Sequence, residues 1–251
     1  MDFTNPDTTG PGQFPVTRHS ALRAIRDGTS DQSARAYDAI VSAYWKPVYK
    51  YIRLRWNKNR DDAQDLTQSF FARVLEKDFF ATYDLGRARF RTFLRLCLDR
   101  HIGNVLKAQT RDKRGGDQGT ISLDFDAAEH ELDHASVSPT QSPDQFFERE
   151  WVRALLENSV EMLRQNSEAS GRQVQFQIFS RYDLERFDSN DKIPYQQLAD
   201  KFKISTTDVT NYLAAMRREF RQIVLDRIRD LAGNDDDFRD EVRAVLGIDA
   251  P

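Results

Sequence analysis

The stretch DDAQDLTQSFF opens with three carboxylates, Asp61, Asp62 and Asp65, and then supplies no more, with Gln64 and Ser69 standing where an acid would extend the negative face. At helical spacing these acids are presented outward, and the question is what they touch. Downstream, the run from Arg87 to Arg114 holds nine Lys or Arg against two Asp, with Phe90 and Phe93 interleaved. A run of this kind can neutralise several phosphates, and aromatic rings beside it can stack on unpaired bases. Its candidate nucleic-acid residues are Arg87, Arg89, Phe90, Arg91, Phe93, Arg95, Arg100 and Lys107, whose charges meet no balancing acids close by in sequence. Phe93 taken alone also reads as a core residue.

Bond-breaking chemistry has no comparable support. The four histidines, His19, His101, His130 and His134, are scattered, and neither His130 nor His134 joins a cysteine or carboxylate at a metal-binding spacing. The single cysteine, Cys97, lies on an apolar stripe and reads as core. We expect no catalytic residue, no metal and no cofactor, and read the chain as a binding protein and not an enzyme.

The most specific motif is YQQLADKFKISTTDVTNYL. Leu198, Ala199, Phe202, Ile204, Val209 and Tyr212 occupy the apolar positions of a helix-turn-helix, with the small Ala199 where the two helices cross closely. Lys203 stands in the turn where glycine is common, which asks a residue with a Cβ to accept an unusual backbone angle. Ser205 is placed to cap the second helix. Thr206, Thr207, Thr210, Asn211 and Ala214 then face a DNA groove, and Arg217, Arg218 and Arg221 face phosphates.

The elements that position these residues are helical. Tyr37, Ile40, Val41, Tyr44, Trp45, Val48, Tyr49 and Ile52 recur at three- and four-residue steps between Ala34 and Trp56, with Pro47 expected to kink or restart that helix. From Asp61 to Glu76, Leu66, Phe70, Phe71, Val74 and Leu75 form an apolar arc, opposite Asp61, Asp62, Asp65, Ser69 and Arg73. Phe90 to Lys107 carries a further stripe, and helical patterning resumes at Phe146 and runs through Val174 to Tyr182 before the helix-turn-helix. No strand-like alternation occurs, so the expected fold is all-α, with two helical domains joined by an acidic linker. Residues 1–17 read as a disordered tail, 18–116 as the first domain, 117–145 as the linker, 146–231 as the second domain and 232–251 as an extension.

Composition sets the wider bounds. The 251 residues are 39% hydrophobic and 31% charged, which suits real cores. A net charge of −3 means that any DNA contact comes from a local patch. No apolar stretch approaches the roughly 20 residues of a membrane span, and the opening Met1 to Pro15 lacks the features of a signal peptide, so no membrane partner and a cytoplasmic location are expected.

In this order the features resemble a bacterial RNA polymerase sigma factor of the extracytoplasmic-function (ECF) group, over roughly residues 20 to 230. The resemblance implies two partners, core RNA polymerase and promoter DNA. DDAQDLTQSFFARVLEK is similar to the helix that docks on the polymerase largest subunit, which implies polymerase contacts for Asp61, Asp62, Asp65, Gln68 and Ser69. Asp62 and Asp65 match the usual Asp-Ala-Glu-Asp-Leu run, whereas Gln64 and Ser69 replace acids. FRTFLRLCLDRHIGNVLKAQTRDKRGG resembles the part that melts and reads the minus-ten element, with Phe93 where tryptophan is usual. The helix-turn-helix resembles the part that reads the minus-thirty-five element, but with Thr210, Asn211 and Tyr212 in place of a common Lys-Ser-Arg run. The acidic linker would thread through polymerase or act as a solvated tether.

The missing acids suggest control. Phosphorylation adds roughly −1.5 to −2 charges, enough to replace them. Ser69 is the better candidate on the polar face, and Thr67, inside the apolar arc, is the second. A Ser/Thr kinase would then stand in place of an anti-sigma factor. The competing class is a stand-alone helix-turn-helix transcriptional regulator, which leaves the acidic helix and the basic run without a purpose.

Overall fold

The computed structural model describes residues 22, 24–25, 29–76, 79–80, 83, 89–109, 123–133, 142–185 and 193–250. The expected tail at 1–17, Arg87, and the end of the basic run from Arg111 to Arg114 lie outside them. Among the described residues there is no strand, and the fold is all-α.

The helices are α1 (Ser30–Arg55), α2 (Arg60–Val74), α3 (Phe90–Gln109), α4 (Phe125–Asp133), α5 (Pro143–Ala169), α6 (Gln173–Phe179), α7 (Tyr195–Phe202), α8 (Thr206–Leu231) and α9 (Asp235–Leu246). A turn of π-helix, Ser180–Leu184, continues α6. Their starts follow from local chemistry. Thr29 and Gln32 close a capping box on α1, Ser142 and Gln145 do the same on α5 ahead of Pro143, and the Asn59 and Asn234 side chains cap α2 and α9. Gly247 ends α9 at φ 65°, the left-handed geometry that glycine takes without strain. Pro47 does not restart α1, which runs through it as one helix. Tyr44, Val48, Tyr49, Tyr51 and Ile52 around it are buried, so packing outweighs the backbone hydrogen bond that proline cannot make.

Among the described residues two apolar cores form, and their boundary falls inside helices. The larger joins α1, α2, α3 and α4 to the first half of α5, the end of α8 and α9. Tyr44 stacks on Trp151 at 6.3 Å and meets Phe90 edge-on at 5.5 Å, while Tyr51 meets Phe147 at 5.7 Å. Each aromatic ring so buried contributes about 2 kcal/mol, which fixes the first half of α5 against α1. The smaller core gathers Leu163, Ile178, Phe179, Leu198, Ala199, Val209, Leu213, Met216 and Ile223 from α5 to α8. Residues 146 to 156, grouped by sequence with the second domain, therefore pack with the first.

The segment expected to be an extended tether contains α4. Its acids close on a row of cations. Glu131 lies 2.6 Å from Lys46 and 2.5 Å from Lys50, Glu129 holds Arg53 and accepts the Tyr49 hydroxyl at 2.6 Å, and Asp126 pairs with Arg60. Burial pushes Glu131 up, but Lys46 and Lys50 more than offset it and leave the carboxyl below its ordinary range. These pairs hold α4 against α1.

Candidate nucleic-acid interface

The segment expected to be a helix-turn-helix comprises α7 and α8 with a tight turn between them. Leu198 and Ala199 pack on Val209 and Leu213, all 2% exposed or less, so the helices approach closely at the small Ala199. Lys203 takes φ 56° and ψ 47° in the turn, and its N–H donates back to the Ala199 carbonyl. Ser205 is spent on the cap. Its hydroxyl accepts from the Asp208 N–H at 3.0 Å and donates to the Asp208 carboxylate at 2.7 Å, which holds that carboxyl below its usual range. A hydroxyl so engaged positions the start of α8, next to the other residues expected to meet DNA.

Past this cap, Thr206, Thr207, Thr210, Asn211, Ala214, Arg218 and Arg221 are exposed along successive turns of α8. Thr210 returns its hydroxyl to the Thr206 carbonyl at 3.0 Å, whereas the Asn211 amide is exposed beside it. Arg217, expected to meet phosphate, instead forms two 2.8 Å hydrogen bonds to Asp183 beside the Tyr182 ring. The Asp183 carboxylate raises its already high pKa further.

The basic run divides in two. Arg100 and Lys107 are exposed on α3, whereas Phe90 is buried and Phe93 packs against Phe79 and Tyr83 at 5.7 and 4.9 Å. Arg91 is 5% exposed, lies 2.5 Å from Glu148 and pairs with Glu241. Arg95, 13% exposed, pairs with Asp99 at 2.6 Å and with Asp144. Arg89 lies 3.8 Å from Glu148. The expectation that these charges lack acidic partners is thus corrected for Arg91 and Arg95: Arg91 draws its acids from α5 and α9, remote in sequence, while Arg95 takes Asp144 from α5 and Asp99 from one turn along its own helix. Phe90 serves the core, and Phe93 packs against the same core while remaining partly exposed.

Sequence reasoning missed a groove of about 530 Å³ between α2 and α3, lined by Phe70, Arg73, Phe79, Arg100, His101 and Asn104. Arg100 and Asn104 share a face by their four-residue spacing, which was the available signal. His101 Nε2 lies 3.0 Å from the Ser69 hydroxyl, and burial first, then Arg73, hold the imidazole below its ordinary pKa.

On α2, Asp61, Asp62 and Asp65 are exposed, and Gln64 and Gln68 are half-buried. Ser69 is also half-buried and donates to the Leu66 carbonyl at 3.1 Å, with the His101 ring on its other side. Thr67 is fully buried, with its hydroxyl on the Ala63 carbonyl at 2.7 Å. Leu75, assigned to the apolar arc, is 42% exposed because it already caps the helix end.

Among the described residues, no cluster of three His, Cys, Asp or Glu is placed to hold a metal, and no helix is long and apolar enough to cross a membrane. The family model described as ECF sigma factor matches residues 17–226. No curated protein and no solved structure matches the chain.

Proposed function

We propose, because the chain belongs to the ECF sigma factor family, that its helices divide the work of an alternative sigma factor among three surfaces. Members of the family direct promoter recognition with core RNA polymerase, and that assignment holds for this chain. The finer roles are our reading. The exposed acids Asp61, Asp62 and Asp65 of α2 dock on polymerase. Arg100, Lys107 and the groove beside them take the melted strand, with Asn104 and His101 able to hydrogen-bond a base edge. Asn211 and its neighbours on α8 read the upstream element in the major groove, and Arg218 and Arg221 hold its phosphates.

The observation that carries this reading is the capped α8, whose exposed row from Thr206 to Arg221 follows a left-handed Lys203 turn. No bond-making chemistry is needed, since the partners supply it. A stand-alone helix-turn-helix regulator would share α8 but would have no use for the acids of α2.

Control by added charge fits α2. Ser69 is the reachable hydroxyl, and a Ser/Thr kinase acting there would add charge next to the acids, whereas Thr67 requires local unfolding first. An anti-sigma factor is the alternative regulator. Pull-down of the purified chain with core polymerase tests the docking role. Retention that is lost on replacing Asp61, Asp62 and Asp65 by Asn supports it, and the absence of retention under any charge state of α2 contradicts it.

A further inference from the structure

Arg91 belongs to the basic run of α3, yet groups from two other helices enclose it. Glu241 of α9 takes one nitrogen, Glu148 of α5 takes the other at 2.5 Å, and the Trp151 ring lies 4.8 Å from the guanidinium carbon. An arginine neutralised on both sides reaches no phosphate until those pairs break. The helix that supplies Glu241 lies wholly beyond residue 226, where the family match ends. One face of it grips the body. Phe238 and Val242 are buried, Val245 and Leu246 pack beside them on the same core, and Arg229 stacks 3.4 Å over the Phe238 ring, but Asp235, Asp236, Arg239, Asp240 and Arg243 on the other face are exposed.

The energetics favour a switch over a staple. Burial pushes the Glu241 carboxyl up while Arg91 opposes the shift, so the acid is held in a place where its charge is costly. Desolvation cancels most of the attraction in a buried ion pair, which makes such a pair a poor source of net stability. What the pair does is occupy Arg91.

We propose that α9 is an inhibitory latch: in the free chain its Glu241 holds Arg91 away from DNA, and release of α9 frees Arg91, with Arg89 beside it, to grip the backbone of the melted strand. The latch rests on the reading of α3 as the strand-holding helix. Glu148 does not block release, because its side chain is 46% exposed and can swing to water once Glu241 leaves. Competition from a phosphate backbone drives the exchange, since it offers Arg91 a charge-assisted partner without the cost of burying a carboxylate.

The test measures fluorescence anisotropy of a labelled oligothymidine of about 20 nucleotides with the full chain and full-length variants. Glu241→Gln should bind about five- to tenfold tighter, the worth of one regained charge-assisted contact. Asp240→Asn removes the same charge from an exposed neighbour and should change binding less than about twofold. Adding Arg91→Ala to Glu241→Gln should abolish the gain. Hydrogen exchange in Glu241→Gln should show protection lost at 235–246 with the cores retained. Equal binding by Glu241→Gln and Asp240→Asn, a gain that survives Arg91→Ala, or protection lost throughout the chain would overturn the latch. Arg100→Ala separates the two claims. If it weakens binding while Glu241→Gln does not strengthen it, the latch alone falls; if it changes nothing, α3 is not the DNA helix and both fall.

Discussion

Lys50 of α1 and Glu150 of α5, 100 residues apart in the chain, form a 2.8 Å ion pair with side chains only 2% and 1% exposed. Glu131 of α4 completes the cluster at 2.5 Å from the same ammonium. The pair sets where α5 crosses α1. Lys50→Met strands the Glu150 charge and should cost about 3 to 5 kcal/mol, whereas Lys50→Met with Glu150→Leu should regain most of that. Urea denaturation decides between them, and a double variant as unstable as the single one would show that the pair is not the source of the loss.

The buried imidazole at the groove should make stability depend on pH. His101 has a folded pKa below its ordinary 6.5. As pH falls below that value the unfolded chain takes up a proton that the folded chain refuses, so the contribution is present above about pH 6.5 and is lost as pH falls towards the folded pKa. His101→Gln should flatten the decline in urea midpoint between about pH 7.5 and 5.5. An unchanged slope would mean that the imidazole charges freely in place.

On α8, three exposed positions should behave differently. Asn211→Ala should cost about 1 to 3 kcal/mol at one base position, and Arg218→Ala should weaken binding about evenly across sequences. Arg217→Ala should cost less affinity than Arg218→Ala, because Asp183 already holds Arg217. A binding selection over randomised duplexes reads all three. Unchanged preference in Asn211→Ala would place the reading face elsewhere.

Added charge on α2 should act by position. Gln64→Glu and Ser69→Glu should raise affinity for core polymerase several-fold at low salt and less at moderate salt. Thr67→Glu should instead destabilise the fold by about 2 kcal/mol or more, since its site is closed to water. Tight, salt-insensitive binding by the unmodified chain, with no gain from either carboxylate, would remove the charge switch.

Where the signal is local, the fold is legible in the sequence. The apolar spacing from Leu198 to Tyr212 and the demand on Lys203 are both read within one motif, and the backbone there is left-handed as that motif requires. Helix α4 escapes the same reading because its acids look like a solvated tether until their partners are known. Those partners, Lys46, Lys50 and Arg53, recur at helical spacing on α1, a complementary stripe that only folding brings into register. Arg91 escapes for the same reason, as its acids lie 57 and 150 residues away. A charged stripe in one segment does not say which distant segment will pair with it.

The most direct test of the account is transcription itself. Core polymerase with the purified chain, phosphorylated and unphosphorylated, is given a library of genomic fragments, and the 5′ ends of the transcripts are sequenced. The account predicts initiation above that of core alone, with 5′ ends lying at a constant distance from a shared two-part element whose upstream half changes in preference with Asn211→Ala. Transcription no greater than that of core alone, with either form of the chain, would contradict it.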